Sequence, residues 1–276
     1  MTTQGGRALA RGDRAGFVPR VLAVPAVLGL ALLVLPLGAL VLRVQWATLW
    51  GDITSPQALS ALGLSLITGA LATTVCVLLG VPLALLIARS TLRTAALLRA
   101  LVTVPLVLPP MVGGVAMLFL FGRTGWLGGV LAEWGIRIPF TTTAVVMAQT
   151  FVALPFLVLA LEGSLRSTGT GFEQAAAGLG AGRWTILARV TLPLAAPGLV
   201  AGIVLCFARA IGEFGATALF AGNAPGVTQT MPLAIYTAFN GGGVSQGTAV
   251  ALSLLLLVTA VGVLLLVRAW RAEAPR

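Results

Sequence analysis

Lysine and histidine are both missing from this 276-residue chain, so all seventeen of its basic residues are arginine. Without Lys there is no ammonium to hold the β- and γ-phosphates in a P-loop, and none to form a Schiff base. Nucleotide chemistry is therefore expected on a separate chain. Without His the commonest metal ligand and general base are absent, and seven acids spread along the chain offer no paired-carboxylate constellation. The chain is expected to be non-catalytic, with no metal and no cofactor of its own. Its two cysteines, Cys76 and Cys206, both fall inside apolar runs, where they read as small buried residues and not as a disulfide or redox pair. Charge itself is scarce: 9% of residues are charged, against about a quarter in a soluble domain.

What is abundant is apolar surface, with 58% hydrophobic residues and a mean hydropathy of +1.05. Such a composition belongs in lipid. A net charge of +10 would suit nucleic acid, yet the arginines stand at the ends of apolar runs and form no patch interleaved with exposed aromatics, so nucleic-acid binding is not expected.

A membrane helix needs about 20 apolar residues at 1.5 Å rise each. Six runs qualify, at about 21–42, 58–88, 100–121, 141–161, 194–221 and 248–267, the fifth interrupted by Arg209 and Glu213. The expected fold is all-α, a polytopic bundle of six transmembrane helices: a tail over 1–20, a membrane domain over 21–268 and a second tail over 269–276. Arg7, Arg11, Arg14, Arg20, Arg89, Arg93, Arg99, Arg166, Arg183, Arg189, Arg268, Arg271 and Arg276 fall on one side, and only Arg43, Arg123 and Arg137 on the other. The positive-inside rule then puts both termini in the cytoplasm of a multi-pass cell-membrane protein. The first run exceeds the 7–15 residues usual for a signal peptide and is expected to be a retained helix.

The longest cytoplasmic connection, 162–193, reads as two short helices around a glycine corner. Thr170 precedes Glu173 by three residues, the spacing of a capping box, so a helix is expected to start there. Ala175, Ala176 and Ala177 extend it; Gly178, Gly180 and Gly182 break it; Arg183 to Val190 can resume it before Pro193. Small side chains let another protein approach the backbone, with Glu173 and Arg183 offering charge at the rim. The plainer alternative is a solvated connector.

Glu173, Gln174, Ala175, Ala176, then Leu179, Gly180 and Ala181, with Thr191, Leu192, Pro193 and Pro197 downstream, resemble the EAA loop of bacterial ABC-importer permeases. The segments PLVLPPMVG at 105–113, ARAIGEFGAT at 208–217 and AGNAPGVTQTMPLAIY at 221–236 look like the molybdate branch of the molybdate and sulfate permease group. The resemblance implies a type I importer permease importing molybdate, or tungstate or sulfate on the same architecture. It also implies a homodimer of permease subunits in membrane lipid, two ABC ATPase subunits and an extracytoplasmic solute-binding protein. Glu173, Gln174, Ala175, Ala176, Leu179, Gly180, Ala181 and Arg183 would then couple the bundle to the ATPase. The EAA signature is shared across many cargoes, so the cargo assignment rests on the segments around Glu213 and Gln229.

Within the spans, Arg209 and Glu213 stand at i,i+4 on one helical face, where intramembrane charges point into the bundle or a wet cavity. They serve either an oxyanion path or a structural ion pair. Pro105, Pro109 and Pro110 followed by Gly113 read either as a gate or as a static kink. The uncharged stretch 222–247 offers neutral donors, Thr228 and Gln229 among them, for an outer mouth or for a loop folded over the bundle. A rival from another class is an ion-coupled secondary anion transporter, for which the chain offers little beyond Glu213.

Overall fold

A computed structural model describes residues 20–241 and 246–273, all of whose regular elements are helical. Arg7, Arg11, Arg14 and Arg276, used above for orientation, lie outside the described residues, as does most of the first tail.

The chain divides into two units, 1–44 and 45–276. In the first, a 3-10 turn at Arg20–Leu22 leads into α1, Ala23–Leu42, a 20-residue helix with no buried residue. At 1.5 Å per residue it is about 30 Å long, the thickness of a hydrocarbon core.

The second unit is built around α7, Thr142–Thr168, which packs against α3, Pro56–Arg89, and α10, Leu192–Ile211. Ser55 starts α3 by accepting from the Ala58 N–H at 3.3 Å, and Thr141 starts α7 by accepting from Ala144 at 3.3 Å. Lipid is as apolar as leucine, so helix association here rests on close packing through small residues. A Cβ at Gly80 would lie 2.6 Å from Leu157 Cδ2, and one at Gly202 would lie 3.1 Å from the Leu157 backbone. Gly80 beside Leu154 and Leu157, with Cys76 Sγ 3.6 Å from the Thr150 carbonyl, sets α3 and α7 running the same way. Gly198 against Ser164 and Gly202 against Leu157 set α10 antiparallel. Cys76 and Cys206 are buried in one cluster between these helices, both as free thiols.

The run expected as one span over 100–121 is instead α4, Leu92–Val107, and α5, Pro110–Phe121, bent by 108°. Consecutive prolines are the cause. Each pushes the residue before it out of the helical region, and Leu108 (ψ 136°) and Pro109 (ψ 131°) are both extended. Span five is also divided: α10 stops at Ile211, Gly212 to Phe214 turn, and α11 covers Gly215–Phe220. The stretch expected as a loop contains α12, Met231–Phe239, which opens with Pro232 in its first turn and buries Met231, Leu233, Ala234 and Ala238. It packs on α3 and on α13, Gln246–Glu273. Two short helices complete the bundle, α2 at Leu49–Ile53 and α6 at Trp126–Glu133.

By length and composition, four stretches can cross a membrane: 23–42, 56–89, 142–168 and 183–211, with the bent α4–α5 pair as a fifth. The stretch Gly247–Gly262 of α13 is apolar as well.

Candidate coupling loop and membrane path

At the end of α7, Gly169 (φ 69°) turns the chain into α8, Gly171–Gly178, which carries Glu173, Gln174, Ala175 and Ala176. The helix begins where the sequence suggested, but not through a capping box. Thr170 makes no cap bond; its hydroxyl accepts from Gln174 Nε2 at 3.3 Å. Glu173 is drawn elsewhere. Its Oε1 pairs with Arg89 in the last turn of α3 and accepts from the Thr191 hydroxyl at 2.8 Å. The carboxylate thus joins α8 to the ends of α3 and α10, and does not stand free at the rim.

A Schellman motif closes α8: Ala181 N–H donates to Ala176 O and Gly180 N–H to Ala177 O, both at 3.0 Å. It needs a left-handed residue, and Gly180 sits at φ 84°. Nothing lies within 4 Å of a Cβ placed there, so the backbone conformation alone selects glycine. Leu179, at the corner, is 90% exposed. Arg183 opens the next short helix, α9, Arg183–Ile186. A π-helical turn at Leu187–Thr191 then leads into α10. Pro193 accounts for that turn, having no N–H for the Arg189 carbonyl and a ring that crowds it in α register. Phe172 (64% exposed) and Trp184 (83%) join Leu179 as large apolar side chains facing outward on this loop. The sequence reading singled out Leu179 alone, although an outward aromatic on each short helix was visible as a pattern.

Just above the loop is a charge cluster that sequence reasoning missed. Glu162 in α7, 3% exposed, accepts from Arg166 Nε at 2.6 Å and from Arg99 Nε of α4 at 3.2 Å. The helix continues seven residues past the apolar run, which carries Glu162 and Arg166 inside it.

In the last turn of α10, Arg209 Nη2 stands 2.6 Å from Glu213 Oε2, while Glu213 Oε1 accepts from the Ala216 N–H at 2.8 Å. Glu213, 1% exposed, is therefore committed to the break between α10 and α11. Pro109 and Pro110 form the elbow, with Pro105 one turn earlier inside α4. Gly113 faces Phe151, 2.8 Å from its would-be Cβ, and at Gly114 a Cβ would meet the Ala216 backbone at 2.8 Å. The elbow and the α10–α11 break thus lie directly against each other. Gln149, Thr217 and Thr230, near-fully buried, make no side-chain hydrogen bond among the described residues. Gln149 was invisible in sequence because it is one neutral residue in an apolar run.

Thr228 and Gln229 are buried in the turn before α12. Thr228 Oγ1 accepts from Ala224 N–H at 2.9 Å, and Gln229 Nε2 donates to Asn223 Oδ1 at 2.9 Å. Gln229 also lines a cavity of about 310 Å³ with Asp52, Gln57 and Thr237. Arg209 and Glu213 do not line it.

Residues 80–271 match the family described as the binding-protein-dependent transport system inner membrane component. The molybdenum transport system permease protein ModB of Mycobacterium tuberculosis is 52% identical over 248 residues, covering 90% of this chain and 93% of that protein. The sulfate transport system permease protein CysT of Escherichia coli is 36% identical, over 74% of this chain and 75% of its own length. Among solved structures, a bacterial ABC transporter involved in the import of the acidic polysaccharide alginate superposes with a TM-score of 0.71. The superposition covers 93% of this chain and 96% of that one at 16% identity, a likeness of fold. With a helical bundle, an EAA-like corner and these relatives, the chain belongs to the binding-protein-dependent transport system inner membrane components, multi-pass permeases of ABC importers.

Proposed function

We propose that this chain is the permease subunit of a molybdate importer driven by ATP hydrolysis on a separate subunit. The observation that carries this reading is 52% identity to a molybdenum permease across nine-tenths of the chain. Two copies form the pathway, each with six spans and both termini in the cytoplasm. Two ATPase subunits dock below, and a solute-binding protein delivers the oxyanion from outside.

The loop geometry supports a mechanism for coupling. The ATPases grip α8 and the corner through Gln174, Ala175, Ala176, Leu179, Gly180, Ala181 and Arg183, with Phe172 and Trp184 adding apolar contact. Glu173 carries the motion inward, since it bonds both Arg89 and Thr191. A push on α8 is therefore delivered to α3 and α10 together, two helices that flank α7. The elbow at Pro105, Pro109, Pro110 and Gly113 and the α10–α11 break at Glu213 are the gate, because regular backbone is already interrupted there on two touching elements. Arg209 gives the path positive potential, and Thr228 and Gln229 belong to its outer mouth.

Reconstitution of the chain with its ATPase and binding protein in liposomes tests the reading. Molybdate uptake should require ATP and all three components. Uptake driven by an ion gradient without the ATPase would refute it, and preferential uptake of sulfate would refute the cargo.

A further inference from the structure

At the opposite end of α7 from the coupling loop, the corner between α5 and α6 forms an open groove of about 400 Å³. The 27 residues of α7 separate the two ends by about 40 Å at 1.5 Å per residue. The corner is built from glycines: a Cβ at Gly128 would lie 1.9 Å from the Gly122 carbonyl oxygen, so only hydrogen fits. Two arginines, Arg123 and Arg137, line this groove, and neither has an ion pair or hydrogen bond among the described residues. The one acid nearby in sequence, Glu133, pairs with neither and does not line the groove.

Two exposed guanidinium groups lining one groove form a positive patch that favours an anion. They also stand at the end of the bundle that, on the positive-inside reading, carries few arginines, which makes this pair a local concentration of positive charge. The rest of the lining includes Leu118, Phe121 and Ile136, which offer nothing to a hydrated inorganic anion. Trp126 (81% exposed) and Trp134 (75%) flank the corner, the placement of aromatic side chains at a membrane interface. Phe140, also on the lining, is held at φ 62°, a conformation non-glycine residues rarely adopt, while its N–H donates to the Phe220 carbonyl at 3.2 Å. The wall is thus fixed in shape.

We propose that this groove binds the phosphate of an anionic phospholipid, with Arg123 and Arg137 gripping its oxygens and the apolar wall receiving the start of its acyl chains. Guanidinium meets a tetrahedral oxyanion through charge-assisted, often bidentate bonds, and the apolar half of the groove selects a lipid over a free ion. The site rests on the membrane placement of the family and is independent of which oxyanion is transported.

The test uses the permease assembled with its ATPase, purified in detergent and studied by native mass spectrometry with added phosphatidylglycerol or phosphatidylcholine. Wild-type protein should retain phosphatidylglycerol at least about tenfold better, as two interfacial arginines imply. R123Q/R137Q should lose that preference, while molybdate in excess should leave the wild-type adduct in place. Equal retention of the two lipids by the wild type would overturn the proposal without need of any variant. Displacement of the lipid by molybdate would overturn it too, reassigning the groove to cargo.

Discussion

Glu173 and Arg89, 84 positions apart, meet in an ion pair that fastens α8, the first short helix of the loop between α7 and α10, to the end of α3. Thr191 holds the same carboxylate oxygen from the start of α10. Partly exposed pairs of this kind contribute little to stability, about 0–1 kcal/mol. On the proposed coupling their value is directional: a carboxylate tied to two helices would transmit displacement that a free one would not. Glu173→Gln is therefore expected to leave folding and complex assembly intact while lowering uptake per ATP hydrolysed. Arg89→Gln should do the same, and the double variant should be no worse than either single one. Additive losses in that cycle would show that the two residues act separately. Glu173→Lys, which repels Arg89, should uncouple more severely.

Glu162 lies under two arginines whose side chains remain 41% and 39% exposed. Glu162→Ala should destabilise the subunit by about 1–3 kcal/mol, since water reaches both released arginines but the α4–α7 tie is lost. A thermal melt in detergent reads this directly. Glu162→Gln should recover part of the loss, because the amide oxygen still accepts from Arg166 and Arg99.

Glycines of different surroundings should respond in opposite ways to the same change. Gly114→Ala forces a methyl against the Ala216 backbone, where no flexible side chain can yield, so α5 must move off α11. Such overpacking costs about 1–3 kcal/mol, and uptake should fall with it. Gly63→Ala in α3 meets nothing within 4 Å and should be neutral or stabilising by up to about 1 kcal/mol. Paired melts and uptake assays on the two variants check both.

Arg209→Gln removes the side-chain cation that pairs, among the described residues, with a carboxylate that is 1% exposed, and leaves Glu213 its bond from the Ala216 N–H. Assembly should weaken, and Arg209→Gln/Glu213→Gln should restore it by removing both charges. If Arg209 also serves the anion, uptake stays low in the restored protein. Full uptake by that double variant would reduce the pair to a structural role.

Long apolar runs made the helices that face lipid legible from composition, because lipid asks only for hydrophobicity and length. Their interruptions were harder. The Pro109–Pro110 pair was visible as a kink, yet one continuous span was expected. The extended backbone that two consecutive prolines impose turns the chain by 108°, far more than a kink. At the α10–α11 break the sequence marked an interruption at Arg209 and Glu213, but not the bond by which Glu213 accepts from the Ala216 N–H of the new helix. At the loop, the alanines and glycines gave the helix and its corner directly, since Gly180 is required by its own φ. The partners of Glu173 were not readable: the Thr170 spacing suggested a local cap, and a tertiary arginine competed better for the carboxylate. Glu162 and Gln149 were overlooked for opposite reasons, one lying just past an apolar run and the other being uncharged within one.

The two prolines at the elbow also withhold two donors. In an unbroken helix the N–H groups of residues 109 and 110 would satisfy the carbonyls of Pro105 and Leu106, and proline has none to give. A hydrocarbon environment does not tolerate bare acceptors, so non-helical backbone at that depth must face protein or a hydrated space. The elbow therefore needs a surface other than lipid beside it, and the α10–α11 break, in contact through Gly114 and Gly215, supplies one.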